Sequence, residues 1–292
     1  MGEFGWQLLG MALLIGTLLG GYALWRRGPG HGASLTERRV ALLLTATGAG
    51  GFWGALAWWA NYPGAFSWPL PGLGARMLAA AGWSFALACL LILRRPFAAH
   101  LRLGAAILWV YLAPLTLAIL ALHLDRFDFG RPVTGAFFAI VVALLIGATW
   151  ALWRLPAEAP LPPDRAAALP LMLIAGVAGG WALLLFLWPA GPVPAIWPWR
   201  GDALTTRLIA SMFLSVAVGA ALALRDRRRA GTVHAMTLAY GIGVVAAGFA
   251  HVMTAQPGER GYKEVSLPLS YMLVWGGLGL IALIALTRRR DA

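Results

Sequence analysis

Charge is what this chain has least of. Only 12% of its 292 residues are charged, about half of the ~25% found in an average soluble domain. One large core cannot explain the deficit, because surface scales with mass and a 31.1 kDa globule still exposes much of itself. Hydrocarbon is the solvent that tolerates such a surface. Cysteine is nearly absent as well. Cys89 is the single one, so no internal disulfide can close, and no Cys/His spacing matches a zinc site. Within Leu87-Ala88-Cys89-Leu90-Leu91 it reads as a small buried apolar residue.

Other absences remove whole classes. No H-E-x-x-H, P-loop, CxxC, or G-x-G-x-x-G after a strand is present, so no catalytic residue, metal or cofactor is expected from a motif. Disorder is excluded by 15 Trp and 12 Phe, and the 18 Pro and 36 Gly lack a collagen period. The amino terminus does not read as a cleavable signal. Met1-Gly2-Glu3 is acidic and Arg26-Arg27 follow the apolar run, so a retained first helix is expected.

What is present is apolar length. The mean hydropathy is +0.75, and nine runs reach or approach the length that crosses ~30 Å of hydrocarbon at 1.5 Å per residue. They lie near 6–25, 40–60, 77–93, 103–124, 133–153, 166–188, 208–224, 233–255 and 267–287. The third and seventh are short unless each extends outward past Arg76 or Arg207. None of the nine cores contains Asp, Glu, Lys or Arg. The expected fold is all-α, a polytopic membrane helical bundle of about nine transmembrane helices.

The net charge of +12 belongs to topology rather than to nucleic acid. One set of connecting segments holds Arg26, Arg27, Arg38 and Arg39, then Arg94, Arg95 and Arg102, then Arg154 and Arg165, then Arg225 and Arg227 to Arg229, then Arg288 to Arg290. The other set holds only Arg76, Arg126, Arg131, Arg200, Arg207, Arg260 and Lys263. Basic loops stay in the cytoplasm. The expectation is a bacterial-type cytoplasmic membrane, with the N-terminus outside and the C-terminus inside.

An internal repeat is the main organisational feature. At an offset of 129, Gly50-Gly51 matches Gly179-Gly180, Trp59 matches Trp188, and Trp68-Pro69 matches Trp197-Pro198. Tyr111 matches Tyr240, and Pro114 matches Gly243, at the same offset. Small loop differences bring Arg76 onto Arg207, Arg94 onto Arg225 and His123 onto His251. The reading is an extra N-terminal helix and inner loop at 1–39, a four-helix unit at 40–154, an inner linker at 155–165, and a second four-helix unit with an inner tail at 166–292. An even helix count gives the two units the same orientation, related by an axis along the membrane normal.

The repeat selects the candidate ligand-binding residues. Arg76 and Arg207 each open a helix from the outer face, where a guanidinium can clamp an anion, or else snorkel to the headgroups or pair with an outer acid such as Asp202. Tyr111 and Tyr240 each lie three residues before a helix perturber, and His123 and His251 sit near the outer ends of the same helices. Trp68 and Trp197 lie in Pro-rich outer segments that form either the rim of an outward cavity or an aromatic belt at headgroup depth, the plainer reading. The hypothesis is that these side chains line a cavity between the two units. Haem is a weaker expectation. His234 and His251 are 17 residues apart and His100 and His123 are 23 apart, whereas two haems stacked on one helix need ~13–14. A single haem between His123 and His251 stays open on geometry.

Two stretches resemble known families. Gly82-Trp83-Ser84-Phe85 loosely resembles the serine motif of rhomboid intramembrane proteases, but the second Gly is missing. The nearest Ala-His pair, Ala99-His100, falls at the opposite face, beyond reach of a nucleophile. Gly51-Phe52-Trp53-Gly54 followed by Pro71 and Arg76 looks like the start of drug/metabolite-type permeases. Those have two five-helix units in inverted orientation, unlike the parallel four-helix repeat here.

Three functions follow as expectations. The first is a permease or channel-like carrier for a small apolar or anionic solute, without proton or cation coupling because no carboxylate lies at depth. The second is a non-catalytic subunit or scaffold among other membrane subunits, supported by Gly16-x-x-x-Gly20, Gly50-x-x-x-Gly54 and Gly176-x-x-x-Gly180. The third is a lipid-modifying enzyme. The lipid bilayer is the expected partner, with a small-molecule ligand and no nucleic acid.

Overall fold

Apolar runs of this length in hydrocarbon must close their backbone hydrogen bonds internally, and helices do so. A computed structural model describes residues 3–66, 68, 70–189, 203–254 and 269–288. Among them are nine helices long and apolar enough to cross a membrane. They are α1 (Glu3–Arg27), α2 (Leu35–Trp59), α3 (Gly72–Arg94), α4 (Ala98–Leu122), α5 (Pro132–Arg154), α6 (Arg165–Leu187), α7 (Ala203–Arg225), α8 (Ala230–Thr254) and α9 (Leu269–Arg288). No strand occurs among the described residues. Large apolar side chains stand bare on the periphery, such as Ile146 at 64% and Leu187 at 76% exposure. This is the architecture of a polytopic integral membrane protein.

Caps set the boundaries more than hydropathy does. Ser34 Oγ accepts from the Glu37 amide at 3.3 Å while Glu37 Oε2 accepts from the Ser34 amide at 2.8 Å, a capping box. It starts α2 five residues ahead of the apolar run at 40 and draws Arg38 and Arg39 into the helix. At the far end Asn61 takes a φ of 51°. The Asn61 amide donates to Trp58 O and the Tyr62 amide to Ala57 O, both at 3.0 Å, which satisfies carbonyls left spare where a helix stops. Both α3 and α7 begin about a turn before the apolar runs at 77–93 and 208–224, so Arg76 and Arg207 lie inside helices.

The most enclosed helices are α3 and α7. α3 packs between α2 and α8, and α7 packs between α6 and α4. α5 leans on α4, α9 leans on α8, and α1 rests chiefly on α2. Small residues permit the close approaches. A Cβ on Gly82 would meet Gly51 O at 2.8 Å, and a Cβ on Gly243 would meet Ala80 Cβ at 2.6 Å. Contacts this tight gather the dispersion attraction that substitutes for hydrophobic drive inside a bilayer.

Two buried hydroxyls cross the seam between 40–154 and 166–292. Ser84 Oγ on α3 donates to Met236 O on α8 at 2.7 Å. Ser215 Oγ on α7 donates to Ile107 O on α4 at 3.0 Å and also faces Ser211 O at 3.1 Å. Such interhelical bonds average about 0.6 kcal/mol, so they fix register more than they add stability.

On the side carrying the arginine-rich loops, a polar clasp ties the linker to both flanking segments. Arg228 Nε donates to Asp226 Oδ1 at 2.9 Å, and Arg228 Nη2 donates to Asp226 Oδ2 at 2.8 Å and to Ala159 O at 2.9 Å. Arg228 also pairs with Glu158, and the Arg227 amide donates to Leu161 O at 2.6 Å. Arg102 Nη1 holds Leu152 O at 2.9 Å. His100 faces two carbonyls, Arg95 O at 2.9 Å from Nδ1 and Arg228 O at 2.8 Å from Nε2. Both contacts are hydrogen bonds together only when both ring nitrogens carry protons.

Asp226 is the hub of this clasp and is buried. Burial alone raises its carboxyl pKa, but the Arg228 hydrogen bonds and the charges of Arg228 and Arg229 outweigh it and hold the group below the ordinary value. A depressed carboxyl contributes stability that is present above the ordinary aspartate range and is lost as pH falls through the depressed value. Asp226→Asn should therefore cost about 2 kcal/mol at neutral pH, the scale of hydrogen bonds to a charged group. Thermal unfolding in detergent measures it, and the gap between variant and native protein should close as the pH drops below about 4.

Candidate functional site

At the side opposite the clasp, helix ends from both segments converge. His123 caps α4, its amide donating to Ile119 O at 3.0 Å, and its side chain is buried. Arg207 projects from the second turn of α7 and is half-buried. Its Nη1 lies 2.6 Å from His123 Nε2, and its Nε donates to Phe186 O at the end of α6 at 3.1 Å. A guanidinium has only donors, so Nε2 is the acceptor, the imidazole is neutral, and its proton sits on Nδ1.

Among the described residues, no carboxylate pairs with Arg207. Among those residues its positive charge meets a carbonyl dipole and a neutral ring, and none of them accepts from Nη2. Planar paired donors of this kind match a carboxylate, sulfonate or phosphate. An ionisable residue within a membrane helix is a functional-site candidate by default.

Trp68 belongs to the same end. It is only 4% exposed, its Nε1 donates to Thr205 Oγ1 on α7 at 3.4 Å, and its ring lies 5.2 Å from that of Phe127. The segment after α2 thus reaches across the seam and covers the first turn of α7. It places the indole inside the protein rather than in a lipid-facing belt.

The other candidates are distributed along the seam. Arg76 is half-buried on the second turn of α3, and His251 is buried near the end of α8. No hydrogen bond joins them, so this pair does not mirror Arg207 and His123. Tyr111 packs on Phe85 at 5.2 Å. Tyr240 is fully buried, and its hydroxyl lies 3.0 Å from that of Tyr271, tying α8 to α9. Trp197 lies outside the described residues.

An aromatic cluster that sequence reading did not single out surrounds Tyr240. Phe213 lies 4.5 Å from Trp275, Tyr240 lies 4.6 Å from Trp275, and Trp181 lies 5.5 Å from Tyr271. The indole nitrogens of Trp181 and Trp275 are buried there without an acceptor among the described residues. A period-3.6 stripe on α9 holds Tyr271, Trp275 and Leu278, and that spacing is the signal available in the sequence.

Catalysis finds no support at the one serine candidate. Ser84 Oγ is committed to Met236 O, and the hydroxyl lies inside the α3–α8 contact. No group of three or more His, Cys, Asp or Glu that could hold a metal occurs among the described residues. Cys89 is buried. A cavity of about 760 Å³ does open between α1, α2 and α3, but none of the eight candidate residues lines it.

If Arg207 and His123 form a specific pair, a double-mutant cycle of Arg207→Gln and His123→Ala, read by thermal unfolding in detergent, should give a coupling near 1 kcal/mol at neutral pH. That is within the range of interhelical polar contacts in bilayers. The coupling should fade on acidification, since an imidazolium has no acceptor to offer. Strict additivity at neutral pH would show that the contact carries nothing. Comparison with known protein families, with curated proteins and with solved structures finds no match for the chain.

Proposed function

We propose that the chain is a permease-like carrier for a small solute that is apolar or bears an anionic group, working without proton or cation coupling. The observation that carries this reading is Arg207, a half-buried guanidinium at a seam between two helical segments with no carboxylate partner among the described residues. His123 is its neighbour from the other segment, and Trp68 covers the adjoining helix turn. A solute anion at Nη2 would supply the missing counter-charge, and the aromatic wall would take up its apolar part.

Duplication supports the same reading. α3 with α8 and α4 with α7 form corresponding pairs, as do α2 with α3 and α6 with α7. Ser84 and Ser215 lie 131 positions apart, the offset of Arg76 and Arg207, while their acceptors Ile107 and Met236 lie 129 apart, the offset of Tyr111 and Tyr240. Each serine therefore reaches the residue that corresponds to its counterpart's acceptor. Parallel units related by an axis along the membrane normal meet along such a seam. The absence of carboxylates from the middle of the described helices favours facilitated diffusion over ion-driven transport.

A second reading, a subunit of a larger assembly, is favoured by α1. It rests chiefly on α2, and the Gly10, Gly16 and Gly20 positions face open space. A partner would then co-purify at fixed stoichiometry.

The carrier reading is tested in proteoliposomes with labelled benzenesulfonate, an anion that stays charged across the accessible pH range and is partly apolar. Saturable uptake should be independent of an imposed proton gradient. Arg207→Gln should reduce it at least tenfold and Arg207→Lys less, because an ammonium keeps the charge but not the fork. Uptake that ignores Arg207→Gln would sink the proposal. Orientation has its own test. With Cys89 buried, His31→Cys on an exposed basic loop should react with an impermeant maleimide only from the cytoplasmic side, and Gly130→Cys only from outside. The reverse pattern would overturn the positive-inside assignment.

A further inference from the structure

The cavity between α1, α2 and α3 is independent of the Arg207 site and lies toward the other membrane face. Its walls are apolar, formed by residues such as Gly21, Gly48, Phe52, Trp83 and Leu90. Two threonines also line it, but their hydroxyls are engaged. Thr45 Oγ1 donates to Ala41 O at 2.7 Å, and Thr17 Oγ1 accepts from Trp53 Nε1 at 3.0 Å. The one charged lining residue is Arg94, at the last turn of α3 on the basic side. It is exposed and forms no ion pair among the described residues.

The groove exists because α1 is pegged to its neighbours rather than packed flush. Trp53 bonds Thr17, Tyr22 Oη donates to Arg38 O at 3.2 Å, and Trp25 Nε1 donates to Leu93 O at 3.1 Å. Trp25 is buried under Gly30, where any Cβ would come within 2.5 Å of the indole. These pegs hold α1 beside α2 and leave a slot open toward α3.

Its dimensions select an occupant. From Trp83 to Arg94 the α3 wall runs ~16 Å at 1.5 Å per residue, and half of a ~30 Å hydrocarbon core is ~15 Å. The slot therefore spans one leaflet, with its charged end at headgroup depth. A volume of about 760 Å³ falls in the ~300–1,000 Å³ range of small-molecule sites. Apolar walls of one-leaflet height under a single exposed guanidinium match an acyl chain beneath a phosphate. We infer that this groove binds an anionic phospholipid from the leaflet on the basic side, its tail between α1 and α3 and its phosphate on Arg94.

The test uses the full chain in nanodiscs of equal phosphatidylglycerol and phosphatidylcholine, extracted into mild detergent, with retained lipid counted by native mass spectrometry. The native chain should keep one phosphatidylglycerol in preference to phosphatidylcholine. Arg94→Gln should cut that preference about fivefold, the factor one basic residue near an anionic surface supplies. Arg95→Gln, its neighbour outside the lining, should leave the preference unchanged. Gly21→Leu fills the slot, since its Cβ meets only Thr45 Cγ2, at 3.5 Å; it should lower retention of both lipids without shifting the unfolding temperature. Retention of no lipid, equal retention of both, or a second copy of the chain in place of lipid would overturn the inference. So would an Arg95→Gln effect as large as that of Arg94→Gln, which would reduce the selectivity to diffuse surface charge.

Discussion

At the depth of the bilayer there is no water to accept or donate a hydrogen bond, so polar groups there depend on partners within the protein. That constraint organises the seam between the two helical segments. Ser84 and Ser215 each reach a main-chain carbonyl on the facing helix, and Tyr240 finds Tyr271. Glycine and alanine at Gly243 and Ala80 bring the backbones near enough for such short side chains to cross. Polar satisfaction and close packing are thus one requirement met by the same helix pairs. Arg207 differs, because its partners among the described residues are a carbonyl and a neutral ring and bring no opposite charge.

The two membrane faces solve different problems. On the basic side, carboxylates are available, and Asp226 and Glu158 tie Arg228 to the linker between the segments. The linker is therefore part of the framework rather than a loose tether, and motion of one segment against the other must pivot near this clasp or break it. On the opposite side, the contacts between segments are an indole with a threonine and a guanidinium with an imidazole. Among the described residues neither of these two contacts is a salt bridge, and each is replaceable by a ligand group of suitable shape. A bundle clasped by ion pairs at one end and by exchangeable contacts at the other is suited to opening at the second end.

The fold was legible because a span of about twenty apolar residues is a property of composition, readable without knowing any neighbour. Helix ends were less so. Ser34 and Glu37 carry a capping signal that hydropathy ignores, and α2 begins there rather than at residue 40. The candidate site was legible as residue types but not as partnerships. His123 and Arg207 meet across 84 positions, and which helix faces turn together depends on ridge-and-groove packing that no single run encodes. The repeat led to an expectation of matched pairs, yet Arg76 and His251 do not bond as their counterparts do. The matched helices also pack differently: where α7 has Phe213, α3 has Gly82, whose close approach to Gly51 draws α2 onto α3. Trp275 and Tyr271 are marked in the sequence only by their helical spacing, which a uniformly apolar run leaves faint.

α1, which the sequence expectation leaves outside the two four-helix units, marks one difference between the segments. α1 lies against α2, and no described helix lies in the corresponding place against α6. Its attachment is by pegs, Thr17, Tyr22 and Trp25, on its half nearer the basic side, whereas Gly10 and Gly16 meet nothing within 4 Å. A helix held only along part of its length can tilt without disturbing the seam, since none of its pegs touches α7 or α8. Its position sets the width of the groove on α3, and α3 is also the helix that carries Ser84 and Arg76. Occupancy of the groove would thus act on the central seam through α3, and through α2, whose Leu44 lines the groove and packs against Gly104 of α4. Coupling between lipid and solute by the α3 route would require displacement of that helix against α8, where the close contact between Gly243 and Ala80 leaves little room for adjustment.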